Sequence, residues 1–108
     1  MTKRQAYNKA EQLRNSLQMI FDNHANRGDD RAMVVLKTAG PLDFEYNVKG
    51  KDLITFNPLL LSNEIEKMFP NVHVTESEIV FSSRSIVFIC KELGQRGTYL
   101  FIFHHIKI

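Results

Sequence analysis

The chain has one cysteine, Cys90, no tryptophan, three prolines and five glycines in 108 residues. A single cysteine makes no intramolecular disulfide, and this one sits inside an apolar stretch. A disulfide-stapled scaffold is therefore excluded, and a reducing, cytoplasmic setting is expected. So little glycine and proline excludes collagen-like and low-complexity classes, and the hydrophobic and charged fractions of 44% and 24% exclude a disordered one. No apolar run exceeds five residues, and the start of the chain is polar where a signal peptide needs its apolar region. Neither membrane insertion nor secretion is expected. A large charge of one sign is missing too, since a net +2 does not by itself mark a nucleic-acid binder. Ser82, Ser83 and Ser85 lack the glycine elbow of a nucleophile, and neither a phosphate-cradling glycine loop nor a paired-carboxylate motif is found. The expectation is no enzyme and no cofactor.

What is present is a strong pattern for one α+β domain over residues 1–108. Residues 85–90 and 99–103 are apolar runs flanking a polar turn, which predicts a long β-hairpin. Side chains alternate faces along a strand, and here both alternating sets are apolar: Ile86, Phe88, Leu100 and Ile102 at even positions, Val87, Ile89, Phe101 and Phe103 at odd ones. Such a hairpin belongs in the middle of a sheet with another layer on at least one face.

Upstream, Thr2 and Gln5 have the spacing of a capping box. Ala6, Ala10, Leu13, Leu17 and Ile20 then recur at steps of three and four, which predicts an amphipathic helix of roughly 20 residues. The stripe also fits a heptad, but two alanines among five seam residues favour packing on the protein's own sheet over a coiled-coil dimer. Strands are expected at 32–37, at 42–48, where Leu42, Phe44, Tyr46 and Val48 alternate with polar residues, and at 53–56. Asn57 and Pro58 predict a second helix, with asparagine as cap and proline at the first helical position. It buries Leu61, Ile65, Met68 and Phe69, projects Glu64 and Glu66 outward, and stops at Pro70. A second set of strands is expected to begin at Val72 and Val74 and to continue through Ile79 to Phe81 before the hairpin. The predicted order is α-β-β-β-α-β-β-β, with a mainly antiparallel sheet crossed by the long N-terminal helix.

Candidate functional residues fall into three groups. Residues 58–83 carry one cation against four carboxylates, and Glu64, Glu66, Glu76 and Glu78 are expected to form an acidic rim that binds a basic protein partner. Lys3, Arg4, Lys9 and Arg14 on the first helix are the alternative, a nucleic-acid contact surface, although their angular spread is wide. Arg84, Arg96 and His105 form the third group. No metal site is expected, because His104 and His105 are strand neighbours pointing to opposite faces and His73 lies elsewhere.

The helix, three strands, helix order up to Phe69 resembles a double-stranded RNA-binding domain, a family that contacts A-form RNA through shape and phosphates. Glu64 and Glu66 stand where that family has a basic helix, so the function does not carry over. The terminal hairpin alone resembles small ribonuclease toxins, for which Arg84, Arg96 and His105 would be the reactive cluster. The leading expectation is a small binding protein that regulates or inhibits a macromolecular partner, of the inhibitor, immunity or phage anti-defence type. The alternatives are a nucleic-acid-binding regulator and an RNase-like toxin.

Overall fold

A computed structural model describes residues 2–25, 32–40 and 43–106. The expected polar link at 27–31, with Asp29 and Asp30, and the turn residue Pro41 lie outside the described residues, as does the side chain of His24.

The capping box forms as the spacing predicts. The Thr2 amide donates to Gln5 Oε1 at 2.8 Å and the Gln5 amide donates to Thr2 Oγ1 at 3.1 Å, which satisfies two orphan donors at the start of α1, Lys3–Ala25. Ala6, Ala10, Leu17 and Ile20 are buried, as is Phe21 beside them. The stripe thus packs on the protein's own sheet. The small side chain at Ala10 admits a close neighbour: the buried Tyr46 phenol donates to the Ala10 carbonyl at 2.9 Å. Burial raises the pKa of that phenol and keeps it protonated.

Five strands follow: β1 (Ala32–Ala39), β2 (Asp43–Gly50), β3 (Val72–Val80), β4 (Ser85–Glu92) and β5 (Tyr99–Ile106). They form one sheet in the order β1-β2-β5-β4-β3, antiparallel except for the parallel pair β2–β5. The hairpin β4–β5 is therefore internal, and β5 is the central strand. The second helix, α2 (Pro58–Met68), starts as predicted, with Asn57 Oδ1 accepting from the Leu59 amide at 3.0 Å.

The expectation of a third strand before α2 is corrected. Residues 53–56 do not form a third strand; Leu53–Thr55 is a single 3-10 turn. Asp52 turns the chain before it can pair, since its Oδ1 accepts from the Ile54 amide at 3.3 Å and its carbonyl accepts from the Thr55 hydroxyl at 2.6 Å. The resemblance to the RNA-binding order loses its third strand here. The three strands expected after the second helix are present, and the stretch from Val72 through Ile79 is one strand, β3, continuous through a bulge at Thr75, whose hydroxyl donates to the Ile89 carbonyl at 3.1 Å.

The two helices lie on one face of the sheet. That face contributes Phe44, Tyr46, Val48, Ile86, Phe88 and the two buried phenylalanines of β5, packed against Leu17, Ile20, Phe21, Leu61 and Ile65. Phe103 is the hub: its ring stacks on Tyr46 with centroids 5.5 Å apart and meets Phe21 and Phe88 edge-on at 5.1 and 5.8 Å. Cys90 is fully buried in the same core, and desolvation, with the Glu66 carboxylate as a lesser cause, pushes its thiol up to about 12. Thiol reagent should therefore label the native protein only as fast as the core opens, and rapid stoichiometric labelling without denaturant would contradict this packing.

Both sheet edges are engaged by helix side chains. On β1, Gln18 of α1 acts as a surrogate strand: its Nε2 donates to the Ala32 carbonyl and its Oε1 accepts from the Val34 amide, each at 2.7 Å. On β3, Glu66 of α2 accepts from the Val74 amide at 2.9 Å. Both contacts occupy backbone groups that would otherwise template another strand. Glu66 does not project outward as its helix position suggests, because an orphan edge donor lies within its reach.

Candidate functional site

The opposite face of the sheet has no second layer among the described residues. Its centre is apolar because β4 and β5 are apolar on both sides. Cross-strand partners point to the same face, and the register pairs Val87 with Ile102 and Ile89 with Leu100. All four are half-buried. The strands on either side, β3 and β2, border this quartet with acid. Glu78 and Glu76 of β3 lie opposite Val87 and Ile89, while Glu45 and Asp43 of β2 lie opposite Ile102 and Leu100. One row across four strands thus reads Glu78, Val87, Ile102, Glu45. The next reads Glu76, Ile89, Leu100, Asp43.

Glu45 belongs to a hydrogen-bonded chain along the same face. Its Oε2 accepts from the Thr38 hydroxyl at 2.6 Å, and its Oε1 lies 2.8 Å from His104 Nε2; His104 Nδ1 in turn lies 3.2 Å from Ser85 Oγ. Hydroxyl, imidazole and carboxylate in this sequence could in principle pass a proton. Ser85, however, is only 3% exposed and its Oγ also contacts the Ser83 carbonyl and hydroxyl, so the chain ties four strands together beneath the turn at 81–84. The Thr38 hydroxyl, then His104, holds the Glu45 carboxyl below the ordinary value of 4.5. A carboxyl depressed in the folded state stabilises above its unfolded pKa, and that contribution is lost as pH falls through the folded value. Glu45→Gln should therefore destabilise by about 1 kcal/mol near neutral pH, and the difference from wild type should shrink in acid, as pH falls from the ordinary value of 4.5 through the lower folded one. Urea unfolding at neutral and acid pH measures this, and an undiminished difference in acid would mean that the charge is not its source.

The residues singled out from sequence are distributed as follows. Glu76 and Glu78 share one face of β3 and border the quartet. Glu64 and Glu66 lie on α2, in the layer on the other side of the sheet, where Glu64 pairs with Lys67 at 3.5 Å and Glu66 with His73 at 2.8 Å. Asp43 and Glu45 were not among the candidates. Alternation in β2 placed them on its polar side, but only the parallel pairing with β5 carries them to the apolar stripe. Lys3 and Arg4 are exposed in the first turn of α1. Lys9 pairs with Glu92 at 3.7 Å and sits over the Tyr99 ring, and Arg14 donates to the Val34 carbonyl at 3.3 Å. These four cations do not share one surface.

Arg84 and His105 are brought together and Arg96 is not. Arg84 is ion-paired with Asp52, and His105 Nε2 lies 2.9 Å from the Gly50 carbonyl. Both anchor the 3-10 turn to the end of the sheet, whereas Arg96 lies in the β4–β5 loop at the opposite end of the hairpin. His104 and His105 point to opposite faces, and among the described residues no three His, Cys, Asp or Glu side chains converge as metal ligands.

A cleft of about 220 Å³ opens between α1 and the end of α2, lined by Leu13, Met68, Phe69 and Tyr99 with the Lys9–Glu92 pair. It is smaller than the roughly 300–1,000 Å³ typical of small-molecule sites. No described helix is long and apolar enough to cross a membrane. In comparisons with family models, curated proteins and solved structures nothing matches this chain.

Proposed function

We propose that this chain is a small binding protein that regulates or inhibits a macromolecular partner, without turnover of its own, in a reducing cytoplasmic setting. One observation carries the reading: a sheet covered on one side only, whose uncovered centre is aliphatic. Antiparallel sheets commonly face water on one side, but with polar residues there. Here the two central strands present Val87, Ile89, Leu100 and Ile102 instead. A contiguous apolar area framed by charge is the usual character of an interaction surface. Gln18 and Glu66 already occupy edge positions, which favours docking on the face over strand addition at those sites.

Affinity capture from the native host, with and without nuclease, tests the proposal when the wild type is run beside a variant with both Ile89→Lys and Ile102→Lys. A protein retained by the wild type after nuclease and lost by the variant is expected, and adding the chain should change that protein's activity. Recovery of nucleic acid alone, or of the same proteins by both baits, would count against it.

A further inference from the structure

We infer that the open face receives a cationic amphipathic helix from a protein partner, an assignment that rests on the binding reading above. The width of the stripe selects a helix. The bordering carboxylates sit on β2 and β3, three strand spacings apart, or roughly 14 Å at about 4.8 Å each. A helix with its side chains is about 10–12 Å across. One helix therefore fits between the borders with its apolar stripe on Val87, Ile89, Leu100 and Ile102, and Lys or Arg on its two flanks reaches the carboxylates on either side. Glu78 and Glu76 serve one flank, and Glu45 and Asp43 the other.

Charge excludes two other occupants. A second copy seated face to face needs a two-fold axis lying in the interface. With the quartets superposed, an axis along the strands sets the acidic border of β2 against that of β3, and an axis across the strands sets β3 against β3. Either arrangement confronts carboxylate with carboxylate. A nucleic acid would bring phosphates to the same borders. The attraction is local to the two carboxylate borders, since the chain as a whole carries +2 and two cations lie close by: Lys91 is exposed on the same face of β4 as Ile89, and Lys37 acts on Glu45.

Two synthetic peptides of about five helical turns test the assignment. Both carry leucine at i, i+3, i+4 and i+7; one borders the stripe with lysine, the other with glutamate. The lysine peptide should bind about tenfold more tightly at low salt, shift the amide resonances of β4 and β5, and lose its advantage as salt rises. In a variant with Glu76→Lys and Glu78→Lys, exposed positions that leave the core untouched, the preference should fall or reverse. Equal binding of the two peptides, or shifts confined to α1 and α2, overturns the assignment. Concentration-dependent dimerisation abolished by Ile102→Lys overturns it in favour of a second copy. If the Ile89→Lys, Ile102→Lys variant stays folded by thermal melt and loses the captured partner while the peptides are not distinguished, the face binds and the helix assignment alone fails.

Discussion

A chain ending at Thr98 is expected to show no cooperative thermal transition. The deletion removes β5, the strand that joins the two halves of the sheet, and leaves β2 and β4 as raw edges. It also removes Phe101 and Phe103, both fully buried. Each contributes about 1.5–3 kcal/mol by burial, and the backbone hydrogen bonds to both neighbouring strands go with them, against a total stability of about 5–15 kcal/mol for a typical domain. A cooperative melt with native-like circular dichroism would mean that β2 and β4 close on each other without β5.

The second large effect is a contrast between adjacent residues. Phe103→Ala should cost about 3–5 kcal/mol, because the ring is fully enclosed by Tyr46, Phe21 and Phe88 and the vacated space cannot collapse. Ile102→Ala, one residue away on the uncovered face, should cost only about 1 kcal/mol, because its side chain is half-buried. Denaturant unfolding of both variants reads the difference directly. Similar losses would require a second layer over Ile102 within the folded chain.

Local signals in the sequence were sufficient wherever neighbouring residues determine the outcome. The capping box of Thr2 and Gln5, the Asn57 cap and the alternation of Phe44, Tyr46 and Val48 all act within one turn or one strand, and each is seen in the structure. Leu53, Ile54 and Thr55 read as a strand because β-branched and apolar types favour one, while the deciding group is the Asp52 carboxylate just before them. Gln18 and Glu66 look like solvent-facing helix residues until the edges beside them are known. The acidic borders were half legible. Glu76 and Glu78 stand two apart on one strand, but Asp43 and Glu45 meet the same stripe only through the β2–β5 pair, whose partners are more than fifty positions apart.

That distant pair also governs how the molecule is assembled. The β1–β2 hairpin and the β3-β4-β5 meander each close locally, whereas Phe44 reaches Phe101 only after a long loop is closed between them. Loop-closure entropy opposes that step before any burial rewards it, and pairings remote in sequence slow folding. The chain is therefore expected to fold as two fast local units joined by one slower seam. Until the seam closes, β2 and β5 are open edges, and the β5 of another molecule can occupy the place beside β2, so exchange of that strand between copies is the natural misassembly of this topology.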